Sequence, residues 1–517
     1  MLLLSVVTVV ATALLSTRRG GPSEPIAIDN SSIETPTLAP ALTAAPAATV
    51  VLTFTPPRSP NTPTDLIPIA APTVSPPTAA PVPAIPNPTE QPTQPRTISL
   101  SGLVGSLSET YRVPASSRTA TLSGNGKVLA VVHAEVGGPQ NVTVYEWTTF
   151  GNAWRFRSAH DVGETAAVAL SHDGAVMAIS APFESVPGDD GGEELVERAG
   201  RVQVFLYDFE VTYRPLGQEL HGSTTGGFFG HSLALSYTGL TIAVGAPLFV
   251  ASTESLLGQV QVYDFSTTQN MWMPVGSPLQ GMETEDWFGS SISIGQDPPD
   301  QGFSFSVRPV TIAVSAPHSR DTGGYVHVYQ FMGQEWQMLG RDRDIANKDV
   351  DPTLPYDFED EFGTSLLSLV PTNETYRLVV GCPRKDADAR TEDSGMVVVY
   401  EYNNYDSRWD LLGAPIVSST PDTRLGQSGT LLEQGNLLVV GEPGANNAQG
   451  LVRFYAFDGT DFTAGDDDYD DGEVIVEGTA EYIEYGKSVD AARRDGRLVV
   501  AAVAASGSYA QVLEERT

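Results

Sequence analysis

From Thr97 onward the chain repeats itself with a period of about sixty residues, and no single unit of that size could bury its own apolar surface. The clearest copy runs from Phe229 to Gly281: FGHSLALSYTGLTIAVGAP, a variable loop, GQVQVYDF, then MWMPVGSPLQG. Four elements recur in that order. An aromatic residue or Leu precedes Gly-x-Ser and an alternating strand at Phe229, Phe288, Phe362, Leu425 and Tyr485. An apolar strand then ends in a small residue and proline, at Pro182, Pro247, Pro317, Pro383 and Pro443. Gly-x-Val-x-Val-aromatic stretches begin at Gly200, Gly258, Gly324, Gly395 and Gly450, and Trp272, Trp336 and Trp409 mark the fourth element.

Each element has strand length. Several alternate strictly, as Val260 and Val262 or Val326 and Val328 do, and helical periodicity is missing. Four short antiparallel strands per unit, repeated radially, make a propeller blade. Counting units gives seven, with the first (about Arg118 to Gly163) and second (Glu164 to Gly222) lacking the Phe-Gly opening. The seventh runs out after its third strand, Tyr509 to Leu513. Its missing fourth strand is expected from Thr97-Ile98-Ser99-Leu100-Ser101-Gly102, which resembles the unit ending Gln218 to Gly222. The expected fold is therefore all-β, a seven-bladed β-propeller over residues 97–517 whose N-terminal strand closes the ring and leaves no open edge.

The preceding residues differ in composition. Leu2 to Ser16 are apolar and closed by Arg18 and Arg19. Fifteen residues fall short of the ~20 that a membrane span needs and suit a signal-peptide core, so residues 1–19 are expected to be a cleaved signal or a retained anchor. Residues 20–96 hold runs such as Pro36-Thr37-Leu38-Ala39-Pro40 and Pro92-Thr93-Gln94-Pro95. A stretch this poor in burial and rich in proline forms no core and is expected to be a disordered stalk. The sequons at Asn30, Asn141 and Asn373 are candidate glycosylation sites on a secreted or membrane-tethered chain.

The Phe-Gly openings and the Gly245-Ala246-Pro247 ending resemble the FG-GAP repeat, the unit of the integrin α-subunit propeller, from Thr97 to the C-terminus. That resemblance implies the fold and an extracellular ligand-binding habit. It does not carry the family's calcium loops, because the corresponding turns read His172-Asp173-Gly174, Tyr237-Thr238-Gly239, Glu433-Gln434-Gly435 and Arg494-Asp495-Gly496. One carboxylate per turn cannot supply the 6–8 oxygens calcium takes. No cofactor is expected, with calcium the one alternative left open.

Catalytic signatures dissolve into the repeat. Gly230-His231-Ser232-Leu233-Ala234 approximates a nucleophile elbow, but GSSIS, GTSLL, GQSGT and GKSVD occupy the same place in other units. Gly486-Lys487-Ser488 lacks the glycine a phosphate loop requires, since Glu481 stands there. Cys382, the single cysteine, takes the small position before proline, and the seven histidines (His133, His160, His172, His221, His231, His318 and His327) show no ligand spacing.

Charge supplies the functional lead. With 63 acidic and 29 basic residues the net charge is -34, which repels nucleic acid and favours cations or basic partners. In a four-stranded meander the second-to-third and fourth-to-first connections emerge at one end of every blade. Those loops hold Asp189, Asp190, Glu193, Glu194, Glu283, Glu285, Asp286, Asp349, Asp351, Asp357, Glu359, Asp360 and Glu361. They are expected to form an acidic face that binds a protein or glycan at the cell surface. A further acidic run, Asp466 to Gly472, has the composition of a calcium loop but lacks its closing Glu and falls at the other end. A secreted propeller enzyme acting on glycans and a structural component of a cell covering are the alternative expectations.

Overall fold

The computed structural model describes residues 107–515, apart from 115–116, 135–139, 164–166, 189–194, 209–211, 253–254, 296–308, 342–344, 351–355, 357, 388–390, 464–474, 480–481 and 505–508. Seven antiparallel sheets follow one another in chain order, each a meander with its first strand innermost. The first strands are Ser117–Leu122, Val168–Leu170, Ser232–Leu235, Ile292–Gly295, Leu367–Pro371, Ser428–Leu432 and Tyr485–Arg494. Each lies beside the first strand of the next blade, and the last lies beside the first, so the ring is closed.

The core lies between blades. Seven apolar clusters occur among the described residues, and each is drawn from two adjacent blades. Thr241–Ala246, the second strand of blade 3, shows why these strands read as unbroken apolar runs. Ile242 and Val244 pack toward blade 2, whereas Ala243 packs toward blade 4. A strand covered on both faces has no polar side to show. In blades 2 to 6 proline follows the second strand where the ladder stops, as Pro247 follows Ala246.

Two girdles tie the blades together. At the loop-bearing end, the aromatic–glycine opening of one blade docks on the strand-three glycine of the blade before. Phe229 N donates to Ala199 O at 2.9 Å, Leu425 N to Ser394 O at 3.1 Å and Tyr485 N to Gln449 O at 3.1 Å. At the rim, the indole of each repeat tryptophan reaches the preceding blade. Trp272 Nε1 donates to Leu216 O at 2.8 Å, Trp336 Nε1 to Val275 O at 3.0 Å and Trp409 Nε1 to Leu339 O at 2.7 Å.

The last sheet is completed by an N-terminal strand, but not by the expected segment. Leu107–Pro114 pairs with Tyr509–Glu515, from Leu107 opposite Glu515 to Pro114 opposite Tyr509. The earlier candidate, Thr97 to Gly102, lies outside the described residues, as do residues 1–96 with Asn30. The seam between blades 7 and 1 is polar as well as apolar. Arg494 lies 3.6 Å from the Trp147 ring centre and pairs with Glu514, whose other oxygen accepts Trp154 Nε1 at 3.2 Å.

This topology gives the disc two unlike ends. At one, the turns between strands one and two are short except in blade 4, where the connection runs from Gly295 to Thr311, and neighbouring turns bond to each other, Asn125 N donating to His172 O at 2.9 Å and His172 N to Tyr237 O at 3.0 Å. In Ser171-His172-Asp173-Gly174, Asp173 Oδ1 accepts Ser171 Oγ at 2.7 Å and Ala175 N at 2.9 Å, so the lone carboxylate is spent on its own turn. Leu107 and Glu515 also lie at this turn face. The other end carries the connections from strand two to three and from strand four to the next blade, and is called the loop face below.

Candidate functional site

The centre of the loop face is built by the repeat itself. Each Phe-Gly opening forms a four-residue turn: His231 N donates to Phe228 O at 3.0 Å, Ser290 N to Trp287 O and Thr364 N to Glu361 O at 3.1 Å. Gln427 N to Arg424 O and Lys487 N to Glu484 O, both at 3.2 Å, repeat it. Glycine holds the third place with φ of 92° at Gly230 and 93° at Gly289, the position a type II turn reserves for it.

The residue that starts the turn is unusual. Phe228, Trp287, Glu361, Arg424 and Glu484 all have φ between 50° and 61°, a left-handed conformation that non-glycine residues seldom adopt. Such positions persist where surrounding structure fixes them, and they cluster at binding sites. Each stands one to six residues before the innermost strand of its blade, so the five positions form a ring at the loop face. Their identities vary while the backbone does not.

The ring divides by chemistry. On blades 2 to 4 it is aromatic: Phe183 meets Phe228 edge-on with centroids 5.2 Å apart, and Trp287 stacks on His318 at 4.0 Å. Burial pushes the His318 imidazole down to about 4, so it stays neutral. On blades 5 to 7 it is charged. Arg384 lies 3.5 Å from Glu361 and 3.3 Å from Asp393, and Arg424 lies 3.8 Å from Glu484. Burial pushes the Glu361 carboxyl above its usual range against the pull of Arg384.

The acidic residues of the loop face differ in exposure. Glu285 is exposed and lies 3.3 Å from Arg320, Glu359 and Asp349 are exposed, and half-buried Glu283 accepts Ser319 Oγ at 2.9 Å. Glu361 belongs to the ring. Asp286 and Asp360 do not face solvent. Asp286 is fully buried and accepts Met282 N, Glu283 N, Phe288 N and Tyr325 Oη at 2.6 to 3.1 Å; burial raises its pKa. Asp360 is buried against Lys385 Nζ at 3.0 Å and Asn347 Nδ2 at 2.7 Å. Both shape the loops from within. Asp189, Asp190, Glu193, Glu194, Asp351, Asp357 and the run Asp466 to Gly472 lie outside the described residues.

The remaining candidates resolve as architecture or surface. Ser232 Oγ, the serine of the elbow-like sequence, donates to Gly289 O of the next blade at 2.7 Å, and Ser428 Oγ repeats this with Gly486 O at 2.8 Å. Cys382 is buried with Sγ 3.3 Å from Asp360 O, and burial pushes its thiol well up. Asn373 is exposed on the turn face, and Asn141 is half-buried in the third strand of blade 1. No group of three or more metal-ligating side chains occurs among the described residues. Sequence reasoning missed Phe228, Trp287, Arg424 and Glu484. Their one signal was position, directly before the repeat aromatic.

A scan against protein-family models gives no match to the chain, and a search of curated proteins finds no relative.

Proposed function

We propose that this chain is a non-enzymatic binding and adhesion module of the FG-GAP type, acting outside the cell or anchored at its surface. In this reading it holds a protein or glycan ligand on the loop face. The observation that carries it is the division of labour between repeat positions. Glycines, serines, tryptophans and the Phe-Gly aromatics are consumed in holding blade to blade, whereas the ring at Phe228, Trp287, Glu361, Arg424 and Glu484 keeps one backbone and changes its side chains. Variable side chains on an invariant frame suit recognition, and propellers and other scaffolds place binding in such loops. The first described strand begins at the opposite end, with Leu107 paired to Glu515. The innermost strands carry one carboxylate among their described residues, Asp490, which favours binding over paired-carboxylate chemistry on the axis.

The test displays the full chain to arrays of glycans and surface proteins. It does so beside a variant with Glu283, Glu285, Glu359 and Glu361 changed to Lys, and a turn-face control with Glu335 and Glu374 changed to Lys. Binding lost in the first variant and retained in the control supports the reading. Binding that follows the turn-face variant sinks it.

A further inference from the structure

Where blade 4 gives way to blade 5, three buried polar side chains meet on one oxygen atom. Asp360 Oδ2 accepts Lys385 Nζ at 3.0 Å and Asn347 Nδ2 at 2.7 Å. Asn347 opens the short helix Asn347–Val350, Asp360 ends the turn Phe358–Asp360, and Lys385 follows Tyr376–Cys382, the second strand of blade 5. The three are 1 %, 7 % and 2 % exposed, and Lys385 is the one buried lysine of the chain's four. Lysine is almost never buried unless paired, and a buried pair is poor evidence of stabilisation. Asn347 Nδ2 also donates to Gly323 O at 3.1 Å, which spends both amide hydrogens and fixes the amide's orientation. Its Oδ1 accepts no hydrogen bond among the described residues, an uncommon state for a buried carbonyl in a network kept only for stability.

An amine and a carboxamide, drawn to one carboxylate and shut away from water, are the parts of an acyl transfer. A deprotonated lysine is a nucleophile, and a carboxylate within hydrogen-bond reach serves first as base and then as acid. The backbones carrying the three groups are held. Asn347 N donates to Gly324 O at 3.1 Å, Gly395 N and Ser394 Oγ donate to Lys385 O at 2.9 Å, and Arg384 N donates to Asp360 O at 3.3 Å. Fixed placement of this kind raises the effective concentration of one group at the other, and burial keeps water from competing for the same carbon.

We infer that Lys385 and Asn347 join in an intramolecular isopeptide bond, with Asp360 carrying the protons. Lys385 Nζ gives a proton to Asp360 Oδ2, and its lone pair attacks Asn347 Cγ. Asp360 hands that proton to Nδ2 and accepts a second from Nζ. The Cγ–Nδ2 bond then breaks and ammonia leaves. One amide replaces another and no electron is gained or lost. The cluster is neutral before, as an ion pair, and neutral after, with the remaining proton on Asp360. The bond clasps the end of blade 4 to the second strand of blade 5, whatever ligand the loop face holds.

The experiment digests the full chain with trypsin, both freshly purified and after long incubation in neutral buffer, and maps the peptides by tandem mass spectrometry. Expected is a branched species in which Asp344 to Lys348 is joined to Lys385 to Arg390, one ammonia lighter than the two together and uncut after Lys385. Asn347→Ala and Lys385→Arg are expected to abolish it, as is Asp360→Asn. If Asp360→Asn is not folded by circular dichroism, Asp360→Glu takes its place. Shifting the carboxylate by about 1 Å is then expected to slow the bond's appearance about 100-fold. Wild-type protein in which trypsin cuts after Lys385, and in which that lysine is fully acetylated once denatured, overturns the proposal and leaves a plain ion pair. A bond that forms as fast in the folded Asp360 variant overturns the part given to Asp360. A branched peptide that carries Asp360 in place of Asn347, lighter by water, overturns the assignment of the acceptor.

Discussion

The carbonyl oxygen of Gly289, in the Phe-Gly turn of blade 4, lies against the Cα of Gly245, in the Gly-Ala-Pro ending of blade 3. A Cβ on Gly245 would fall inside its van der Waals surface. Ser232 Oγ donates to the same oxygen at 2.7 Å. Gly381 meets Gly426 O and Gly441 meets Gly486 O in the same way. The two halves of the repeat signature are thus one contact, made between blades and not within one.

Gly245→Ala is accordingly expected to destabilise by about 1–3 kcal/mol through overpacking, although Gly245 needs no left-handed conformation. Gly459→Ala, at a turn with φ of 108° and open space beyond, is expected to cost about 1–2 kcal/mol for the opposite reason, conformation without a clash. Denaturant unfolding separates the cases when each site is also changed to Asn, which tolerates positive φ. Asn should ease the penalty at Gly459 and worsen it at Gly245.

The closing seam is expected to be intolerant of half-removal. Arg494 and Glu514 are 4 % and 7 % exposed, so Arg494→Ala leaves a buried carboxylate without its counter-charge and should cost about 3–5 kcal/mol. The double change Arg494→Met with Glu514→Leu should recover most of that loss. A double variant as unstable as the single one would show that the ion pair is not the reason.

Much of this was legible in the sequence, because the repeat exposes every residue whose role recurs. The Phe-Gly turns, the strand-two prolines and the tryptophans could be placed before any coordinates. Features that occur once could not. Leu107–Pro114 was passed over for Thr97 to Gly102, since the pairing register with Tyr509–Glu515 is a property of the closed ring and not of either segment. Asp286 and Asp360 read as surface charge because composition cannot tell a carboxylate that caps its own loop from one that meets solvent. The ring at Phe228, Trp287, Glu361, Arg424 and Glu484 stayed hidden because its constant feature is a backbone angle.

Acid titration should single out Asp490. It sits on the innermost strand of blade 7, where Oδ2 accepts Leu122 N of blade 1 at 2.8 Å and Oδ1 accepts Ala491 N at 2.8 Å. Burial outweighs these bonds and pushes its pKa up to about 6 from 3.8. A carboxyl that holds its proton more tightly folded than unfolded contributes stability at low pH. That contribution declines as pH rises from about 4 to 6 and is flat above. Urea midpoints of the wild type minus those of Asp490→Asn should therefore fall across that window. A constant difference from pH 4 to 7 would contradict the assignment.

The central claim, that ligand is held at the ring on the loop face, is tested most directly by hydrogen exchange of the full chain with and without a partner recovered from the arrays. Protection is expected in the entry turns at 226–232, 283–291, 358–365, 421–428 and 482–488. Protection confined to the short turns at 123–126, 171–174, 236–239 and 494–496, with the entry turns unchanged, would place the ligand on the opposite end and contradict the account.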